Sequence, residues 1–212
     1  MRGKLFCPIF FIFLMAAGCN DDDSYGTPKP RGYFRIDMPE KKYVSFESEC
    51  PFIFALPDYA KAYKSAAPNA EPCWRDIFFG QFRATLYLSY KQVPNDSILR
   101  ELINQNWQLF EAHDQAAGGI RDSTIIRDDE KVYGAVVSLG GNAASQVQFY
   151  LTDSVHHFLR GSLYFYATPN KDSLAPVLNF LKKDIFQLAY SLKWKDAGNK
   201  QGNQEPGAKS QD

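Results

Sequence analysis

Residues 5–17 form an uncharged apolar run that stops at a cysteine, and this feature decides where the rest of the chain must fold. Arg2 and Lys4 precede the run and give it a short positive flank. Thirteen residues are too few to cross a bilayer, which needs about 20 apolar residues in a helix. The length suits the apolar segment of a secretory signal. The run ends in Ala16-Ala17-Gly18-Cys19, where small residues admit the backbone to a peptidase site and the thiol after the cut offers an atom for acylation. This resembles a lipobox, with Ala16 where leucine is commoner. The plainer alternative is an ordinary secretory signal with a chance cysteine. Asn20-Asp21-Asp22-Asp23 follow at once, and three carboxylates cannot enter hydrocarbon without a severe desolvation cost. The expectation is a lipoprotein signal peptide over residues 1–18, a lipidated Cys19, and an acidic, Pro-rich tether over residues 19–30.

The other end is equally constrained. From residue 195 to residue 212 no apolar side chain is larger than alanine. Such a segment buries too little surface to offset its ordering entropy, so it is expected to be a disordered tail. A single domain is expected over residues 31–194. The full chain has 24 basic and 24 acidic side chains. Loss of Arg2 and Lys4 leaves a net charge near −2, and a balanced chain lacks the basic face that nucleic acid requires. Aromatic residues make up 15% of the chain, mostly Phe and Tyr, which favours strands. Of four cysteines, Cys7 leaves with the signal and Cys19 takes lipid. Cys50 and Cys73 then remain in an oxidising compartment, where a disulfide is the default pairing. It would close a loop of some twenty residues and stabilise by roughly 3 kcal/mol on the chain-entropy view. Two buried thiols or one reactive cysteine are the alternatives, and no catalytic cysteine signature is present.

Periodicity outlines the domain. Phe52, Phe54 and Leu56 share one face at the two-residue period of a strand, and Ile77 to Gly80 reads as the end of another. Phe82, Ala84, Leu86, Leu88 and Tyr90 alternate with polar or smaller neighbours, so one face of this strand is buried. Asn95, Asp96 and Ser97 then open a helix whose apolar positions are Ile98, Leu99, Leu102, Ile103 and Phe110. Strands follow near residues 123–127, 132–139, 146–151 and 155–167, with turns at Gly140-Gly141-Asn142 and Thr152-Asp153-Ser154. The last three should form an antiparallel meander. A closing helix over residues 173–192 is capped by Asp172 and presents Leu174, Val177, Leu178, Leu181, Ile185, Leu188 and Leu192 inward. Pro176 is tolerated there if it falls in the first turn. This order, without βαβ alternation, predicts an α+β domain with two helices packed on a mostly antiparallel twisted sheet. It resembles the PsbP/Mog1-like fold in its element order.

Catalytic signatures are absent. The glycines at 140 and 141 lie between strands, not between a strand and a helix, so they do not form a nucleotide-binding loop. No nucleophile elbow is present. His156 and His157 are adjacent on a strand, so their rings diverge and cannot easily share one metal; His113 could join one of them only if the fold brings it near. The acids at 21–23 sit on a tether too flexible to cage calcium. The expectation is no catalytic residue, no metal and no cofactor. Residues 31–36, Arg-Gly-Tyr-Phe-Arg-Ile, differ in mixing rings with guanidinium groups. Arg31, Tyr33, Phe34 and Arg35 are therefore the candidate partner-binding residues, since Tyr and Arg are enriched at interface hot spots. The competing reading makes the same rings a first edge strand.

That stretch also carries a resemblance. Residues 27–37 (TPKPRGYFRID), followed by Pro39 and Lys41-Lys42-Tyr43, then Cys50-Pro51, Asp184-Ile185 and Trp194, resemble the gliding-motility lipoprotein GldD family. The resemblance implies a non-catalytic envelope lipoprotein needed for gliding and the linked type IX secretion machinery. It implies partners among other gliding lipoproteins, GldJ-like ones above all, and among type IX secretion components. It places the lipid anchor in the outer membrane with the domain facing the periplasm, and leaves a cell-surface position open. A rival reading is a ligand-binding envelope module for a glycan or lipid, using the aromatic-rich sheet; a hydrolase with an unrecognised site is a third.

Overall fold

The computed structural model describes residues 36–114, 119–140, 143–166 and 171–195. The signal peptide, Cys19, the tether, residues 31–35 and the tail from residue 196 lie outside the described residues. The chain divides into two compact units, Met1–Ile36 and Asp37–Asp212, and the described fold belongs to the second.

Among the described residues this unit contains ten strands, two α-helices and a 3-10 turn. The strands are β1 (Tyr43–Phe46), β2 (Phe52–Pro57), β3 (Lys61–Lys64), β4 (Arg75–Phe79), β5 (Ala84–Gln92), β6 (Ile120–Arg127), β7 (Val132–Leu139), β8 (Val147–Thr152), β9 (His157–Phe165) and β10 (Lys193–Trp194). Helix α1 spans Asp96–Asp114 and α2 spans Lys171–Ser191. Seven strands form one sheet in the order β3-β4-β5-β9-β8-β7-β6, and β1-β2-β10 form a small second sheet. Every pairing is antiparallel. Helix α1 carries the chain from β5 to the far edge strand β6. The meander β6-β7-β8-β9 then fills the gap until β9 pairs with β5 along its whole length.

The two faces of the large sheet are covered unequally. Ile77, Leu86, Leu88, Phe149, Leu159 and Leu163 point to the inner face, where Phe52 and Phe54 of β2 and Leu181, Ile185 and Leu188 of α2 bury them. Full burial of side chains this size stabilises by about 1.5–3 kcal/mol each. On the outer face α1 covers only part of the sheet. Phe110 packs on Ala135, Val137 and Leu139, and Leu99 packs on Val93 and Phe158. Among the described residues no helix lies over the outer face of β3, β4, the first half of β5 and the end of β9. Gly161 faces inward opposite Phe149, and a Cβ there would lie 2.2 Å from that ring. Only glycine lets the ring close over the strand.

Several boundaries differ from those expected. The alternating strand begins at Ala84, because Phe82 sits in a 3-10 turn (Gly80–Phe82) that Arg83 ends with a left-handed φ of 47°. Strand β9 begins at His157, since Asp153 Oδ1 first accepts the N–H groups of Val155, His156 and His157. Helix α2 starts at Lys171, which puts position 172 inside the first turn and Pro176 in the second. There the proline removes one i→i−4 hydrogen bond instead of occupying a position without one. The meander has four strands, β6 included. Strands β1, β3 and β10 carry no sequence signal: they are two to four residues long and mostly exposed, so no buried period marks them.

Candidate functional site

The lone acid on the inner stripe of α2 is buried and gathers three side-chain donors. The carboxylate of Asp184 has 0% side-chain exposure. Its Oδ1 accepts from Lys41 Nζ at 2.5 Å and from the Tyr43 hydroxyl at 2.8 Å. Its Oδ2 accepts from the Tyr59 hydroxyl. The Lys41 ammonium also donates to the Phe180 carbonyl at 3.1 Å and stands 3.5 Å from the centroid of the Phe180 ring. Burial, and then the hydrogen bond to Asp184 and its charge, push both tyrosine hydroxyls well above their ordinary range. The cluster ties the segment before β1 to the closing helix across more than 140 residues of sequence.

Two further clamps join distant parts of the chain. Cys50 and Cys73 form a disulfide with their Cα atoms 5.5 Å apart. Beside it the buried Arg75 donates to the Pro72 carbonyl at 2.7 Å and to Glu49 at 2.9 Å. At the other end Trp194 pairs with Phe52 in the small sheet and stacks on the His157 ring at 4.9 Å. Its indole N–H donates to the Lys131 carbonyl at 3.1 Å. His157 in turn meets the Tyr90 hydroxyl through Nδ1 at 2.8 Å. The Lys195 N–H, just after β10, donates to the Pro51 carbonyl at 3.0 Å.

The candidate site residues fall as follows. His157 is packed between Tyr90 and Trp194, whereas His156 is exposed. Among the described residues no group of three His, Cys, Asp or Glu side chains could hold a metal. Arg31, Tyr33, Phe34, Arg35 and Cys19 lie outside the described residues. Ile36, directly after that segment, is exposed. Sequence reasoning missed the Asp184 cluster. A signal existed: an acid three residues after Leu181 and four before Leu188, inside an apolar stripe, requires a buried partner.

A second feature is the uncovered half of the outer face. Tyr63, Phe78, Tyr87 and Tyr166 are exposed there. Tyr87 and Tyr164 meet edge to face at 5.7 Å, and the Tyr87 and Tyr166 hydroxyls lie 3.1 Å apart. The hydrogen bond with Tyr166, then burial, push the Tyr87 hydroxyl up to about 12. Two shallow clefts open beside Trp74, one of about 200 Å³ on this face and one of about 190 Å³ between the sheet and α1.

The architecture defines an α+β domain whose two helices pack on antiparallel sheets, cross-braced by a disulfide and a buried acid. Residues 23–194 match the family described as Gliding motility lipoprotein GldD, and the chain belongs to that family. It is thereby a membrane-anchored envelope lipoprotein of gliding motility. Among the described residues no helix is long and apolar enough to cross a membrane. No curated protein matches the chain. Among solved structures the chain is similar to the solution structure of cyanobacterial PsbP (CyanoP) from Synechocystis sp. PCC 6803. The identity is 12% over 77% of this chain and 98% of that one, with a TM-score of 0.40.

Proposed function

We propose that this lipoprotein is a non-catalytic assembly factor that supports gliding and the linked type IX secretion by stabilising other gliding lipoproteins, GldJ-like ones among them. The observation that carries this reading is where the family-like residues go. Lys41, Tyr43, Cys50, Asp184 and Trp194 are spent on bracing the fold. The Gln81 side chain donates to the Asp37 carbonyl, and Lys41 is pinned to Asp184, so the chain is fastened immediately after residues 31–36. The Arg–aromatic segment thus leaves a fixed point, and its rings and guanidinium groups suit desolvated partner contacts. In this reading Cys19 carries the lipid, the signal of residues 1–18 is removed, and residues 19–30 space the domain from the outer membrane.

The test is Tyr33→Ala with Arg35→Ala in the living cell. The double variant should stay folded and lipidated while a partner gliding lipoprotein falls in abundance and secretion drops. Normal partner levels and normal secretion with a normal melt would place the interface elsewhere. A melt lowered by many degrees would make the segment part of the fold. Cys19→Ala should release the domain from washed membranes.

A further inference from the structure

The two clefts on the outer face share Trp74, Ser89 and Arg160, and the polar groups around Arg160 are not closed by the protein. Arg160 Nε donates to Asn106 Oδ1 at 2.9 Å, and its Nη2 donates to Gln148 Oε1 at 3.0 Å. Ser162 Oγ donates to the same Gln148 oxygen at 3.3 Å. Asn106 is 2% exposed and Gln148 is 0% exposed. Yet Asn106 Nδ2 and Gln148 Nε2, both turned away from these bonds, have no partner among the described residues. A buried amide N–H without an acceptor costs about 1–3 kcal/mol. Asn106 lines the cleft beneath α1 directly.

The inventory of the site is lopsided toward donors. A guanidinium has five N–H groups, and the two carbonyl acceptors use two of them. No carboxylate among the described residues lies within ion-pair reach of Arg160. Burial lowers the affinity of this guanidinium for its proton, as expected for a cation with no counter-charge beside it. The occupant that completes the site therefore brings acceptor oxygens and a negative charge, which a carboxylate presents in the matching fork geometry.

The remaining walls say what the carboxylate is attached to. The Trp74 indole is held by its N–H bond to the Tyr90 carbonyl at 3.2 Å, which leaves the ring to line both clefts. Tyr87 and Tyr164 border the first cleft, with Ser65, Ser89 and Asp76 as hydroxyl-binding groups between them. Flat rings beside scattered hydroxyl partners suit a sugar, whose ring has an apolar C–H face and a polar rim. A peptide strand fits less well. The floor is the middle of a sheet, where β5 is paired on both sides and offers no free backbone ladder. We propose that the paired clefts around Arg160 bind an acidic glycan, with a uronate carboxylate on Arg160 and the amide of Asn106 and a sugar ring against Trp74 and Tyr87. This proposal uses none of residues 31–36 and does not depend on the assembly role.

The experiment is calorimetric titration of the whole mature protein with an oligogalacturonate, beside a neutral galactose oligomer and a peptide with a free C-terminal carboxylate. The acidic oligomer should bind saturably and the neutral one at least tenfold more weakly. Arg160→Gln should lower affinity about 10- to 100-fold, as the loss of a charge-assisted contact does. Tyr87→Ala, at an exposed position that leaves the core untouched, should lower it about 2- to 10-fold. Should Arg160→Gln fail to fold, Arg160→Lys, which keeps the charge and loses the fork, reads the same contact and should also weaken binding. The proposal is overturned if the acidic oligomer does not bind at millimolar concentration, if the neutral one binds as well, or if only the peptide binds. It is also overturned if folded variants at positions 87 and 160 bind like the parent protein, which leaves the two amides to ordered water.

Discussion

Replacing Asp184 with Asn should destabilise this domain strongly with almost no change of shape. The side chains are nearly identical in shape, so packing is preserved and the change is electrostatic. One of the two oxygens that accept from Lys41, Tyr43 and Tyr59 becomes a donor, and the charge is lost. Removing one member of a buried ion pair costs roughly 3–5 kcal/mol because the other charge is left without compensation. Here the Lys41 side chain is 22% exposed and keeps the Phe180 carbonyl, so partial hydration holds the loss to about 3 kcal/mol, at the low end of that range. For a domain of this size each kcal/mol moves the melting temperature by about 2–4 °C, which predicts a fall of about 6–12 °C. The assay is a thermal melt and a urea titration of the protein from residue 20 onward, for Asp184→Asn, Lys41→Met and the pair together. Residues in one network couple by about 0.5–3 kcal/mol, so the double variant should be less damaged than the two single losses added together. A melt shift under about 2 °C for Asp184→Asn, or additive losses in the pair, would refute the view that this cluster closes the fold.

Two further outcomes follow from the packing and the tyrosines. Gly161→Ala drives a methyl into the Phe149 ring across β8 and should destabilise by about 1–3 kcal/mol, read from urea midpoints at unchanged slope; an unchanged midpoint would mean the ring yields freely. Burial, then the charge of Asp153, push Tyr90 up to about 12 from an ordinary value of 10.0. The unfolded chain therefore loses this proton first as pH rises, so the stability that Tyr90 contributes is whole below pH 10.0 and drains away between there and about 12. Melts of the parent protein and of Tyr90→Phe across that window should converge toward alkaline pH, and a constant gap would exclude the linkage.

Much of the fold was legible because its signals are local. Phe52, Phe54 and Leu56 alternate, Val132 to Leu139 is bounded by turns, and the inner stripe of α2 recurs at helical spacing. Each pattern reports burial of one face, which a periodic sequence states without knowing its partner. The pairing of Cys50 with Cys73 was the default expectation once Cys7 and Cys19 were given other roles, and the structure has that bond. Family membership was legible too, in residues 27–43 and the scattered motifs after them. What the sequence could not state is which distant groups meet. Nothing in the order of residues says that Lys41, Tyr43 and Tyr59 converge on Asp184, or that Trp194 stacks on His157. The exposed strands β1, β3 and β10 form by pairing with β2 and β4, so their cause lies in a neighbour rather than in their own pattern. The Arg160 clefts exist because α1 is set over one half of the sheet and leaves the other half open. A periodic sequence determines which face of each element is buried; only the tertiary structure, by bringing remote charges and rings within a few ångströms, decides which of those faces stay uncovered and which donors are left for a ligand.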